Sequence, residues 1–372
     1  MTTPRPRILI SARDPATAHA VGPLVRYART DSRIRFTLLA QSPALEILQR
    51  SVPDVRLLSF PTLSEPKQLL TAARSLLEQI EPDMILSGVS GPDSGVDEAL
   101  LAAGGQQGIP RYALQSFWGD INDSFGEVAE TFFVLDRQAA RLTRQRYPVR
   151  TIPIGSLRHA DYATFDIPGM RRLRRKQLGL DSRQRLVGVF GQPLGDRPGY
   201  LETLHHLAAK LTIFPPCTTL LYRPHPKETD AQRDRTLTIL RQAGLTVHLD
   251  SEPLAEPSLC ACDLVVSAFS SCGLDALYLN ALSPQPLNSV LYLLFNPDLR
   301  DWYHSYTRLS DIPPVSAGMA LLCSEPDELA STLQYAMQPR TRERCWKKSD
   351  QLSPLQQAAR KIIDTLVADF DV

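Results

Sequence analysis

The chain has 372 residues, 43% hydrophobic and 22% charged, too long for one ordinary core and suited to a globular protein of two domains. A formal net charge of +1 offers no global electrostatic case for nucleic acid. Six cysteines without a CxxC pair argue against zinc and for reduced thiols in a cytoplasmic protein; with no signal-peptide core and no apolar run of about 18 residues, a soluble chain with at most peripheral membrane contact is expected.

The first half alternates strand and helix. Arg7 to Ser11 reads as a strand, followed by a loop containing Asp14 and a helix from about Ala18 that carries His19 near its start. This opening begins a doubly wound sheet but lacks GxGxxG, so no dinucleotide fingerprint is present. Arg35–Ala40, Val55–Phe60, Pro82–Ser87, Arg111–Leu114 and Thr131–Leu135 read as further strands, with helices over about Pro43–Arg50 and Glu65–Gln79. Gly88 to Glu98 follows a buried strand and holds Asp93, Asp97 and Glu98. Asp97 and Glu98 open a helix, where acids suit the macrodipole; a carboxylate aimed at an acceptor hydroxyl is the other use of this loop. The loop Gln115 to Phe125 mixes Phe117, Trp118, Asp120, Asn122 and Asp123. Aromatics with acids at a strand exit suit sugar stacking and an acceptor, or a purely structural loop.

The basic run Arg171 to Lys176 reads as a solvated helix face. A second alternating series starts at Arg185. That strand ends in Gly191 and Gln192, a turn suited to phosphate, before a helix from Tyr200. Thr218–Tyr222, Leu245–Leu249, Asp263–Ser267 and Val290–Phe295 read as strands, and the tail, Pro326–Met337 and about Thr341–Phe370, as helix. The tail begins with Arg340, Arg342, Arg344, Trp346, Lys347 and Lys348, which could meet an anionic membrane or, more simply, pack back on the protein.

Two strand ends carry the chemistry. His225 lies between Pro224 and Pro226, which fix its backbone, so its ring can donate to a phosphate or exchange a proton near neutral pH. Arg223 adds a second donor. Ser267, Ser270, Ser271 and Gly273 precede a helix, where hydroxyls and N–H groups can hold an anion or the serines can serve as caps. A Ser-His-Asp hydrolase is disfavoured because GxSxG is absent.

The two-domain pattern resembles the GT-B glycosyltransferases. Arg223-Pro224-His225-Pro226 resembles their His-Pro motif, and Ser267-Ala268-Phe269-Ser270-Ser271 their Ser-Ser motif, as in bacterial sialyltransferases and CDP-glycerol glycerophosphotransferases. Ile154 to Tyr162 resembles an inter-domain crossing shared with UDP-N-acetylglucosamine 2-epimerases. The resemblance implies two Rossmann-like domains facing a central cleft. They are expected as an acceptor domain over 1–155, a linker over 156–181, a nucleotide-donor domain over 182–338, and a C-terminal helix over 339–372 returning to the first domain. It implies a donor phosphate held by His225, Ser270 and Ser271, with Gly191, Gln192, Arg223, Ser267 and Gly273 around it. The acceptor would lie near Asp14, His19, Trp118 and Asp123, and its hydroxyl would be deprotonated by a carboxylate. This chain lacks the acidic-acidic-glycine motif that supplies that base, which leaves Asp93, Asp97 and Asp120 as candidates. No metal or cofactor is implied; the only Asp-x-Asp is Asp369-Phe370-Asp371, near the C-terminus. The expected activity is transfer of a sugar or polyol phosphate from a nucleotide donor, CMP- or UDP-linked, to a glycan-type acceptor. A sugar-nucleotide epimerase or hydrolase, or a non-catalytic binding protein of the same fold, are the alternatives.

Overall fold

The computed structural model describes residues 4–91, 93–181, 183–352 and 357–371. The chain forms two compact units, Met1–Ala163 with Ser353–Val372, and Thr164–Leu352.

The first unit is built on a parallel sheet of seven strands: β1 (Arg7–Ala12), β2 (Arg35–Ala40), β3 (Leu57–Ser59), β4 (Met84–Gly88), β5 (Arg111–Leu114), β6 (Thr131–Val134) and β7 (Arg150–Pro153). Their order across the sheet is β3-β2-β1-β4-β5-β6-β7, so the winding reverses between β1 and β4. The helices are α1 (Pro15–Ala28), α2 (Ala44–Ser51), α3 (Pro66–Ile80), α4 (Val96–Gln106) and α5 (Arg137–Arg146). Strand β1 shows why its apolar run is continuous: Ile8, Ile10 and Ala12 enter a core with Val21 and Leu24 of α1, while Leu9 enters a second core with residues of α3 and α4. Helix α1 starts where Asp14 accepts the Thr17 N–H at 2.8 Å and Pro15 takes the first turn.

The second unit begins with α6 (Ile167–Gln177). Its parallel sheet has six strands: β8 (Arg185–Phe190), β9 (Thr218–Arg223), β10 (Thr246–Leu249), β11 (Leu264–Ser267), β12 (Ser289–Leu293) and β13 (Leu321–Cys323). Their order is β10-β9-β8-β11-β12-β13, with the reversal between β8 and β11. Val187, Val189, Leu220, Tyr222, Leu264, Val266, Leu291 and Leu293 line one face of this sheet in a single core. The helices are α7 (Pro198–Leu211), α8 (Asp230–Arg241), α9 (Glu256–Ala261), α10 (Cys272–Leu282), α11 (Pro297–Thr307), α12 (Pro313–Ser316), α13 (Leu329–Ala336) and α14 (Pro339–Ser349). Strand β13 and helices α11 and α12 are short or polar and carry no clear periodic signal in the sequence.

Two expectations change. The run Arg171 to Lys176 is a solvated face only at Arg172, Leu173 and Lys176. Arg171 and Arg175 bond the Asp263 carboxylate at 2.6 and 3.3 Å, and Arg174 bonds Asp250 at 2.8 Å and Glu252 at 2.7 Å. Arg174 and Arg175 are buried, so each guanidinium is matched by carboxylates from across the unit. The tail is also not one helix. In α14 the buried Thr341, Cys345 and Ser349 face inward at four-residue spacing, Arg342 reaches Asp263 at 2.9 Å, and Trp346 donates to the Ser283 carbonyl at 3.1 Å. That helix belongs to the second unit, where Trp346 is half-buried. Only α15 (Ala358–Phe370) returns to the first unit, where Ile362, Ile363 and Leu366 are fully buried in the α1 core. Asp369 of the Asp-x-Asp accepts from the Tyr112 hydroxyl at 2.9 Å and pairs with Arg150 at 2.7 Å. Among the described residues, no helix is long and apolar enough to cross a membrane. Of the six cysteines, Cys217 is exposed, Cys272 is half-buried and the other four are buried.

Candidate functional site

In the second unit, β8 lies between β9 and β11, so the loops leaving these three strands are neighbours at the switch of winding, where open sheets bind ligands. Gly191 leaves β8 and donates to the Arg223 carbonyl at 2.8 Å. A Cβ here would stand 2.2 Å from Glu228 Oε1, so any larger residue would displace that carboxylate. Gln192, buried beside it, accepts the Phe269 N–H at 2.8 Å and ties the β8 loop to the β11 loop.

His225 leaves β9 half-exposed. Its Nδ1 accepts the Lys227 N–H at 3.1 Å. Burial, with the Lys227 charge second, pushes its pKa down, so the ring is neutral at pH 7 and its proton sits on Nε2. The neutral ring therefore still offers a donor. Its backbone is clamped by Glu228, whose Oε1 accepts the His225 N–H at 2.8 Å and whose Oε2 takes the Tyr222 hydroxyl. Burial raises the Glu228 pKa against these two bonds. Glu228 is not among the expected site residues; its signal is a carboxylate three residues after a proline-flanked histidine, within reach of that residue's N–H. Arg223 Nη1 donates to buried Asp250 at 2.9 Å and to the Glu252 carbonyl at 3.0 Å.

The β11 loop is wound on its own hydroxyls. Ser267 Oγ accepts the Ser270 N–H at 3.1 Å, and Ser270 Oγ accepts the Cys272 N–H at 3.3 Å. Two N–H groups expected to face an anion are thus occupied. Ser271 stands at the N-cap position of α10 but its side chain caps nothing, and it is exposed. Gly273 is a packing residue: a Cβ would come 2.2 Å from the Tyr292 hydroxyl.

The first unit has its own polar cluster at the β1/β4 switch. Ser11, the next-to-last residue of β1, sits in register with Ser87 of β4. Asp97, fully buried at the start of α4, accepts from Ser11 at 2.5 Å and from Ser90 at 2.7 Å. Burial pushes its pKa up against those two bonds. Glu98 is 3% exposed, and burial first, the Asp97 charge second, push its pKa up also; Arg13 opposes this at 3.4 Å. Glu98 Oε1 and Arg13 Nε are both buried without a hydrogen-bond partner. Asp97 therefore orients hydroxyls and does not itself face solvent. Asp14 is engaged as the α1 cap, and His19 is exposed on that helix. Asp93 is exposed, and its carbonyl accepts from Arg13 and from Asn122, the latter at 3.0 Å. Asn122 also donates to the Ser90 carbonyl at 2.7 Å, which joins the 115–125 loop to this cluster. Asp120 and Asp123 are half-buried, Asp123 accepting from the Tyr147 hydroxyl. Trp118 is 2% exposed and donates to Asp136 at 2.9 Å, so its face is closed to a sugar.

No family model matches the sequence, and no curated protein does. Solved structures do. A UDP-GlcNAc 2-epimerase from Neisseria meningitidis, bound to UDP-GlcNAc, is 14% identical over 97% of this chain and 100% of its own, with a TM-score of 0.68. MurG of Acinetobacter baumannii is 14% identical over 98% and 100%, at 0.65. HepE of Anabaena, in complex with UDP and glucose, is 15% identical over 98% and 100%, at 0.57. The likeness spans both units and establishes that this chain has the two-domain α/β fold of the GT-B type, shared by glycosyltransferases and sugar-nucleotide epimerases.

Proposed function

We propose that the protein is a glycosyltransferase that moves a sugar or polyol phosphate from a nucleotide-activated donor to a glycan-type acceptor. The observation that carries this is the neighbouring placement of His225 and the Ser270–Ser271 turn on the loops flanking β8. A donor phosphate would take the Nε2–H of neutral His225 and the Ser271 hydroxyl, both able to stabilise charge that grows on the leaving phosphate. The resemblance of these loops to the His-Pro and Ser-Ser motifs supports the same roles. Arg223 acts through the loop it braces. For the acceptor, exposed Asp93 and half-buried Asp120 suit the base better than Asp97, which no substrate can touch while it is buried. The neighbours bound to UDP-GlcNAc or UDP favour UDP-linked donors.

An epimerase acting on a sugar nucleotide is the second possibility, favoured by the fold likeness to UDP-GlcNAc 2-epimerases. The two differ in the need for an acceptor: an epimerase converts its sugar nucleotide alone.

A thermal-shift panel of CMP, CDP, UDP, GDP and their sugar conjugates tests the shared step. One nucleotide should raise the melting temperature by mass action, and His225→Ala should weaken that rise. No shift with any nucleotide at millimolar concentration would exclude both activities and leave a binding protein for other ligands.

A further inference from the structure

Phe269 lies in the chain between Ser267 and Ser270, and its ring begins a ladder. It stacks on Trp302 at 5.3 Å and 20°, and Trp302 stacks on Tyr306 at 4.8 Å and 9°. Trp302 and Tyr306 are four residues apart on α11 and so share a face. The ladder runs outward: Phe269 and Trp302 are half-buried, and Tyr306 is 71% exposed. It is braced at its base. Tyr303 packs on Phe269 at 5.4 Å and ties its hydroxyl to the Asp311 carbonyl at 3.1 Å, and the Phe269 N–H is held by Gln192. Arg197 lies 5.6 Å from the Trp302 ring centre and is fixed there by Asp298 at 3.1 Å. An open cavity of about 430 Å³, lined by His304, Arg308, Leu309 and Ser310, lies at the same end of α11.

Single exposed aromatics are common on protein surfaces. Three near-parallel rings that lead out from a polar turn are a different arrangement, because the outermost, exposed Tyr306, is held with one face against Trp302 and the other set to continue the stack. We infer that Phe269, Trp302 and Tyr306 form a ring-stacking subsite for a ring carried by the phosphate ligand of the Ser270–Ser271 turn. It rests on the phosphate site proposed above. The ring is the flat face of a nucleobase or the C–H face of a sugar. The ladder offers flat apolar area, and its cation is already paired, so it selects for a ring and not for further charge.

The test is calorimetric titration of the full chain with UMP and CMP (base, no transferred sugar), glucose 1-phosphate (sugar, no base) and glycerol 1-phosphate (no ring). The proteins are wild type, Tyr306→Ala, Trp302→Leu and His225→Ala. At least one ringed phosphate should bind about five- to a hundredfold more tightly than glycerol phosphate, the worth of one stacked ring. Tyr306→Ala, at an exposed position, should remove that advantage while leaving glycerol phosphate unchanged, and the class of ligand affected identifies the ring. Trp302 fluorescence should be quenched by the same ligand. If Tyr306→Ala and Trp302→Leu leave every ringed ligand unchanged while His225→Ala weakens all of them, the ladder is not a subsite and the phosphate site stands. If no phosphate ligand binds the wild type, both fail together.

Discussion

Asp97 and Glu98 are adjacent buried carboxyls. Both hold their protons to higher pH when folded than when unfolded, because burial penalises the charged forms. The native state therefore binds more protons than the unfolded state above the ordinary carboxylate range of about 4. Stability from this pair is complete below that range and falls as pH rises through neutrality. Glu98→Gln should flatten the descent: its melting temperature, relative to wild type, climbs from pH 5 to pH 8.5. A constant difference across that range would mean Glu98 is charged in the native state. Gly273 is a second residue where one atom decides. In Gly273→Ala the new methyl meets buried Tyr292, at a cost of about 1–3 kcal/mol. Chemical denaturation should show the loss, and adding Tyr292→Phe should recover part of it.

At the scale of elements, α6 is tied to the rest of the second unit by ion pairs. Asp250, with no exposed side-chain surface, bridges Arg174 of α6 and Arg223 of β9. Asp250→Ala leaves two guanidinium groups without their buried partner and should cost about 3–5 kcal/mol, read from the urea midpoint. A change under about 1 kcal/mol would mean that water replaces the carboxylate. The same bridge shows where sequence stops being informative. The strands that carry Gly191, His225 and Ser270 were legible because buried parallel strands read as apolar runs ending in polar residues. The arginines of α6 were not, because their partners lie 76 to 92 residues away and only the fold brings them close. A basic run on a helix looks solvated until those acids are placed. Trp118 failed for a related reason: an indole beside acids suits a sugar platform, and only Asp136 reveals that it is turned inward. The aromatic ladder was hidden because α11 is mostly polar and one of its three rings lies more than thirty residues earlier, at Phe269.

For the whole molecule, the two units differ in how the chain supplies them. The second, Thr164–Leu352, is continuous, whereas the first is completed by α15 from the far end. Residues 164–352 expressed alone should melt cooperatively, since the six strands and their core lie within them. Residues 1–163 alone lack the cover that Ile362, Ile363 and Leu366 give the α1 core and should aggregate or bind a hydrophobic dye. A peptide of residues 353–372 supplied in trans should reverse that. If residues 1–163 melt as sharply without it, α15 is dispensable to that unit.

The return of α15 also sets an order for biosynthesis. A growing polypeptide ordinarily completes its N-terminal domain first. Here the seven strands of the first sheet leave the ribosome well before the helix that closes their core, with the whole second unit translated in between. At about 5–20 residues per second the delay is on the order of 10–40 s. The second unit can finish during that interval, while the open side of the first is a surface for chaperones to occupy.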